Sequence, residues 1–285
     1  MIKISAYIIA YNEIEKITDC INSVLWADEI IVIDSHSTDG TTEIAEKMGC
    51  RVIHVPFEGY GHLRNEAIKY CTGEWILSLD SDERCTTEFR DEAMHIIRNS
   101  NYDIYKVPRK NYFMGRWIRH SGWYPNFRQP QLFRNGKMSY TIDPVHEGYV
   151  KNSGKNIQTT KSFIWQFPFK NTEEIMHKAN RYSTLGARKL NSKGTVGSVT
   201  KAIYHGLWAF IKHYIFKLGF LDGGAGFVIA FGNFEGTFYR YLKLSEIQFK
   251  WKSAPTTEPI KKMIKSLIIY RLDRIDPRCA QLESP

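Results

Sequence analysis

The chain has 285 residues, 43% of them hydrophobic and 24% charged, which allows a sizeable core and excludes wholesale disorder. Its formal net charge is +9, yet no Lys/Arg-rich run marks a nucleic-acid tail. The balance therefore points to phosphate-bearing or anionic-membrane partners and not to nucleic acid.

Five scattered cysteines (Cys20, Cys50, Cys71, Cys85 and Cys279) show no C-x-x-C spacing, which argues against a disulfide framework or a zinc site and for a reducing compartment. The N-terminus enters an apolar strand without a basic n-region and cleavage site, so the expected location is the cytoplasm. Ile2 to Ala10 reads as the first strand, followed by a helix in which Ile14, Ile17, Ile21 and Val24 recur at helical spacing and which Asn12 could cap. Glu29 to Ile33 is a second buried strand ending at Asp34. The turn cluster from Ser35 through Asp39-Gly40 and a short helix through Met48 follow it. Arg51 to Val55 is a third strand, and a helix from about Gly61 to Tyr70 leads into a fourth, Trp75 to Leu79.

Strand–helix alternation with short connections predicts an α/β fold, a mostly parallel Rossmann-like sheet with helices on both faces. Ligands of such sheets bind beyond the carboxyl ends of the strands. Tyr11-Asn12-Glu13, Asp34 and Asp80-Ser81-Asp82 each lie just after a predicted strand, so they are expected at one edge. Buried strands rarely end in paired carboxylates for packing reasons, because ionised groups need partners or a cation. Asp80 and Asp82 suit a hard divalent cation, Mg²⁺ or Mn²⁺, shared with a phosphate, although a solvated acidic turn would look the same in isolation. A dinucleotide-binding dehydrogenase would also alternate, but the first strand is followed by Tyr-Asn-Glu and not by G-x-G-x-x-G. A P-loop is missing from the sequence as well.

Taken together, the strand ending in Ala10-Tyr11-Asn12-Glu13, the run Ile31-Val32-Ile33-Asp34-Ser35 through Thr38-Asp39-Gly40-Thr41, Arg64-Asn65 and Asp80-Ser81-Asp82 resemble the family 2 glycosyltransferases. The resemblance covers roughly the first 150 residues and implies the GT-A nucleotide-sugar-binding fold. Trp123-Tyr124-Pro125, Gln131-Leu132-Phe133-Arg134, Val145-His146-Glu147 and Gly219-Phe220-Leu221-Asp222-Gly223 resemble one branch, the lipopolysaccharide inner-core β-1,4-glucosyltransferases. The resemblance implies that Tyr11 stacks on or beside uracil and that Glu13 lies near the ribose. It also implies that Asp34 accepts a hydrogen bond from the base, Arg64 lies close to the nucleotide, Asp80 faces the ribose and Asp82 holds the metal bridging the diphosphate. Ser81 is counted with the nucleotide-sugar residues without a role of its own. For Glu13 and Asp39 the alternative is carboxylate charge complementing a helix N-terminus, and for Asp39 that alternative is preferred.

Residues 103–150 interleave Tyr112, Phe113, Trp117, Trp123, Tyr124 and Phe127 with Arg109, Lys110, Arg116, Arg119, His120 and Arg128. Aromatic faces suit sugar rings and Arg forks suit the anionic groups of a glycolipid core, so the cluster suggests the acceptor side. Any single aromatic reads more readily as part of the core of a loop-rich subdomain. Inverting transfer needs a carboxylate to take the acceptor proton. The Glu-Asp pair that many relatives carry after the metal motif is missing, which leaves Glu147 as the expected base and Asp143, beside Pro144, as its reserve or a turn residue. His146 is a metal ligand, a diphosphate contact or a structural histidine. The processive synthases carry Gln-x-x-Arg-Trp; here Asn135 follows Arg134, which favours single addition.

Asn171 with Glu174 three residues later signals a helix start. A second helix is expected over about Val199 to Leu218. Leu207, Ile211, Ile215 and Leu218 share one of its faces, and Lys201, His205 and Lys212 lie opposite. That pattern fits a helix lying in a membrane interface or one packed on its own domain. Leu221 to Gly226 reads as a flexible turn. The expected organisation is a catalytic domain over 1–165 with its acceptor region at about 105–150, a helical extension over 166–250 that associates with membrane, and a basic tail over 251–285.

The sequence thus predicts a metal-dependent inverting hexosyltransferase, peripheral on the cytoplasmic face of the inner membrane, moving one sugar from UDP-glucose to an anionic lipid-linked saccharide. The rivals are a transferase of another cell-surface polysaccharide using a different UDP-sugar, a sugar-nucleotide pyrophosphorylase and a non-catalytic protein with a degenerate transferase domain. A pyrophosphorylase should carry a glycine-rich, Lys-containing loop after the first strand, which Tyr11-Asn12-Glu13 does not supply.

Overall fold

A computed structural model of the chain describes residues 3–124, 130–142, 148–152, 157–249 and 257–275. The first hundred residues fold as β1 (Ile4–Ala10), α1 (Ile14–Asn22), β2 (Glu29–Asp34), α2 (Thr41–Lys47), β3 (Arg51–His54), α3 (Tyr60–Tyr70), β4 (Trp75–Asp80), β5 (Glu83–Cys85) and α4 (Thr87–Asn99). Short strands follow: β6 (Ile104–Lys106), β7 (Arg109–Phe113), β8 (Arg116–Trp117), β9 (Pro130–Arg134), β10 (Met138–Tyr140), β11 (Tyr149–Lys151), β12 (Gln158–Thr159) and β13 (Ile164–Gln166). The chain continues through α5 (Thr172–Ser192), α6 (Val199–Ile211), α7 (Gly223–Gln248) and α8 (Thr257–Ile275).

Among the described residues, the main sheet runs β12-β6-β9-β4-β1-β2-β3, and every strand in it is parallel to its neighbours except β9. Its central strands β1, β2 and β4 are largely apolar without alternation because both faces are covered. Ile4, Ala6, Ile8, Trp75, Leu77 and Leu79 pack on Ile17 and Ile21 of α1 and on Phe89 and Ala93 of α4. Tyr7, Ile9, Ile31, Ile33 and Ile76 turn the other way, towards Leu63 and Ala67 of α3. Period-two alternation thus divides one apolar run between two cores. A second sheet, β5-β13-β7-β8, lies beyond the end of β4.

The register places the strand ends side by side. Ala10 pairs with Asp34, Asp34 with His54, and Ile9 with Asp80. The expected convergence at one edge is therefore built into the sheet.

Two local expectations change. Asn12 does not cap α1: it adopts a left-handed conformation (φ 53°), and its side-chain oxygen accepts from the Thr38 N–H at 2.8 Å. The cap comes instead from Asp39, whose carboxylate accepts from the N–H of Ile14 at 3.0 Å and of Thr41 at 3.0 Å, the first residues of α1 and α2. That arrangement agrees with reading Asp39 as charge at a helix N-terminus. Of the segment expected to be a turn, Leu221 and Asp222 do lie in one, but Gly223 to Gly226 begin α7, a helix of 26 residues.

α6 ends in a π-helical turn over Lys212–Phe216 and a 3₁₀ turn over Gly219–Asp222 before α7 begins. Glycine makes this bend possible. A Cβ on Gly226 would stand 1.8 Å from the Gly219 carbonyl oxygen, a backbone atom with no rotamer to escape into. Gly226→Ala is expected to cost about 3 kcal/mol or more, because overpacking against backbone forces the two segments apart. A thermal melt checks it; an unchanged midpoint would contradict the tight crossing.

α6 buries its small residues, Ala202 and Gly206, with Gly206 close against Phe234 and Phe238 of α7. It leaves Tyr204, Leu207, Trp208 and Ile211 exposed. No single helix among the described residues is long and apolar enough to cross a membrane, but the bent pair Val199–Phe216 and Gly219–Gln248, at 70°, reaches that length and composition together. Residues 1–245 form one compact unit and residues 246–285 a second, whose described portion includes α8.

Candidate active site

Tyr11 follows β1 with 57% of its surface exposed, an unusual position for a ring that could pack and a suitable one for stacking a planar ligand. The loops after β1 and β2 are stitched together. The Asn12 N–H donates to the Ser37 hydroxyl at 2.8 Å and the Glu13 N–H to the Thr41 hydroxyl at 2.9 Å. Glu13 also pairs with Lys16 at 3.2 Å, one turn along α1.

Asp34 is fully buried. Its carboxylate accepts from the Ser37 N–H at 2.8 Å and from the Ser37 hydroxyl, and the His54 Nδ1 lies 3.2 Å away. In this state Asp34 organises the loop after β2, and its oxygens face that loop.

Arg64 projects from α3 into the sheet end, almost fully buried. It donates to the Ser78 hydroxyl at 2.9 Å and to Asp80 at 2.6 Å, and it lies over the Tyr140 ring. Asp80 is thus fixed by a charge-assisted bond, with its carboxylate about one quarter exposed. Ser81 is buried, and its carbonyl accepts from Arg84 at 2.7 Å.

Asp82 is held differently. Its carbonyl accepts from the Phe167 N–H at 2.8 Å, but among the described residues its carboxylate receives only two long contacts of 3.4 Å from Gln166. Burial and then the neighbouring Asp80 push this carboxyl up, while Lys178 and Lys16 act to lower it. A half-buried carboxylate beside a second carboxylate, short of hydrogen bonds among the described residues, has room for a further positive charge. Among the described residues no three His, Cys, Asp or Glu side chains form a complete metal cage. The donor set fits a hard cation that takes one or two carboxylates and fills its remaining positions with phosphate and water.

Glu83, unassigned in the sequence, is the buried support of this motif. It is fully inaccessible and accepts from the Asp80 N–H at 3.0 Å, Gln131 at 2.8 Å and Arg109 at 2.9 Å. Burial and Asp80 push its carboxyl up as well, against the lowering effect of Arg109. The Gln131-to-Arg134 stretch is structural in the same sense: Gln131 holds Glu83, and Arg134 pairs with Glu74 and stacks on Trp75.

α5 closes the edge from the far side, which the sequence did not reveal. Glu174 accepts from Lys16 of α1 at 3.0 Å and pairs with Lys178 at 2.9 Å, and Lys178 bears electrostatically on Asp82. Burial acts to raise the Glu174 carboxyl, but hydrogen bonds from the Lys170 N–H, Lys178 and Lys16 outweigh it and hold the group at about 2. A carboxyl depressed on folding stabilises above its unfolded value, about 4.3, and loses that contribution as pH falls towards 2. Glu174→Gln is therefore expected to lower the melting temperature at neutral pH, with the gap to wild type closing below pH about 4. A gap that stayed constant with pH would remove the ionic basis of this docking.

Asp143, His146 and Glu147 lie outside the described residues. The aromatic expectation divides. Phe113 is buried and Trp123 packs on it in a small core with Ile118 and Ile229, whereas Tyr112 and Tyr124 are exposed.

The register and the Arg64–Asp80 pair define an α/β fold whose chemistry-bearing residues gather at one carboxyl edge. The family model described as glycosyl transferase family 2 matches residues 5–148, half of the chain. A Rickettsia bellii protein described as an uncharacterized glycosyltransferase is 31% identical over 277 residues, covering 91% of this chain and 92% of its own. The chain belongs to glycosyltransferase family 2, and its fold is GT-A with additional C-terminal helices. The lipopolysaccharide core biosynthesis glycosyltransferase LpsC of Rhizobium meliloti is 29% identical over 255 residues, covering 86% of this chain and 91% of its own. Among solved structures, S. aureus TarS 1-349 aligns at 17% identity with a TM-score of 0.47, covering 88% of this chain and 93% of its own.

Proposed function

We propose that this chain transfers a single hexose, glucose from UDP-glucose, to a lipid-linked lipopolysaccharide-core or related glycan, with inversion and with a divalent cation. The observation that carries the reading is the carboxyl edge of a family 2 fold, where exposed Tyr11, fixed Asp80 and under-bonded Asp82 stand together. The similarity to LpsC supports the acceptor class.

In this reading Tyr11 stacks on the uracil and Asp34 receives the base N–H, which requires the loop after β2 to present that carboxylate. Glu13 and Asp80 lie towards the ribose, and Arg64 keeps Asp80 in place. Asp82 would hold Mg²⁺ or Mn²⁺, joined by His146 if that residue is a ligand. The cation would offset the charge that develops on departing UDP. Glu147 takes the proton of the acceptor hydroxyl as its oxygen bonds to the anomeric carbon and the bond from that carbon to the UDP oxygen breaks, with Asp143 in reserve. The exposed apolar side of α6 and its bend would hold the protein on the cytoplasmic face of the membrane, where a lipid-linked acceptor lies.

The test is UDP release from a panel of UDP-sugars with Mn²⁺ or Mg²⁺. UDP-glucose should be turned over fastest. Faster release from another UDP-sugar would reassign the donor, and release from none of them would remove the transferase reading.

A further inference from the structure

A cleft of about 370 Å³, whose lining shares no residue with the carboxyl edge described above, is formed by Arg116, Trp117, Arg119, His120, Leu221 and Asp222. Asp222 is buried, and its carboxylate is committed inward. It accepts from the Arg119 N–H at 3.1 Å, the His120 N–H at 3.0 Å and the Ser121 hydroxyl at 2.8 Å. The acid therefore shapes the 119–121 turn without pairing with either guanidinium. Arg116 donates to the Asp222 carbonyl at 2.9 Å, and Arg119 lies over the Trp117 ring at 4.5 Å. Both arginines are exposed, and neither forms an ion pair among the described residues. Burial and the Arg119 charge also hold the Lys110 ammonium, 4.3 Å from the same ring, below its ordinary range. Cationic groups thus outnumber the acids here, where Asp222 lines the cleft and Glu88 acts on Lys110.

The chain segment that supplies Leu221 and Asp222 to this cleft is an exposed apolar bend. Leu221 lines the cleft, and Leu218, Phe220 and Phe216 of the same bend are exposed, with Ile215 beside them. Two guanidinium forks at the foot of an exposed apolar bend match a ligand with a phosphate at one end and hydrocarbon at the other.

We propose that this cleft binds the phosphate of a membrane lipid, with Arg116 and Arg119 as its donors and the 215–221 bend set among the acyl chains. It deepens the reading above by giving the lipid-borne acceptor a docking point, and it rests on that reading only for its role in transfer.

The test is co-sedimentation with phosphatidylcholine vesicles, with and without phosphatidic acid, in the absence of nucleotide. Wild-type protein should prefer the phosphatidic acid vesicles. The R116Q/R119Q variant should lose about tenfold or more in affinity for them, and a melt should show it folded. The K47Q/K69Q variant, which removes the same charge from the α2 and α3 surfaces, should bind as wild type does. Equal binding to both vesicle types, or equal losses in the two variants, would overturn the cleft. Binding of inorganic phosphate that depends on Arg116 and Arg119 without any vesicle preference would overturn the lipid source. Because nucleotide is left out, failure to bind UDP would sink the transferase reading while leaving this result standing.

Discussion

Asp82→Ala is expected to abolish metal-dependent UDP binding and to lower turnover by about a thousandfold or more. Among the described residues its carboxylate has no strong hydrogen bond, only the two 3.4 Å contacts from Gln166, so its removal leaves little unsatisfied among them. A purely structural acid would show the reverse, several short bonds and a loss of stability on truncation, as Glu83 should. Lewis-acid stabilisation of a leaving diphosphate is worth several kcal/mol, and about 1.4 kcal/mol is tenfold in rate. The melting temperature should hold or rise, because a half-buried carboxylate pushed above its ordinary range by burial and by Asp80 is removed. Calorimetry with UDP and Mn²⁺, beside a melt, checks both parts. Retained turnover would remove the metal role from Asp82.

Glu147→Gln is expected to leave donor binding intact and to cut turnover by about 10²–10⁴-fold, the usual contribution of a positioned general base. Glutamine keeps size and hydrogen bonding but cannot hold the acceptor proton. The KM for the UDP-sugar should therefore stay near the wild-type value while kcat falls. A fully active variant would move the base elsewhere, with Asp143→Asn the next substitution to make.

The central sheet was legible in the sequence because strands buried on both faces read as continuous apolar runs, and three such runs lead into chemistry-bearing residues. The convergence of Tyr11, Asp34 and Asp80 followed from topology alone, since parallel strands share a carboxyl edge. Side-chain direction was not legible. Asp80, Asp82 and Glu83 are three acids within four residues, and only the fold separates the one tied to Arg64, the one left under-bonded and the one buried as a support. Nor could spacing show that Lys16 and Glu174, 158 residues apart, bring α5 over the site. α7 was misread because Gly223, Gly224 and Gly226 lower helix propensity, and the close backbone crossing that makes one of them necessary is a tertiary fact. The signal that could have found Glu83 was its pairing with Gln131 and Arg109, which a single sequence does not display.

The most direct test of the account is the titration of UDP into the wild-type protein with Mn²⁺ and again with EDTA. Saturable binding with the metal and at least tenfold weaker binding without it are expected. Equal affinity in both conditions, or none in either, would contradict a metal-assisted nucleotide-sugar site at Asp80 and Asp82.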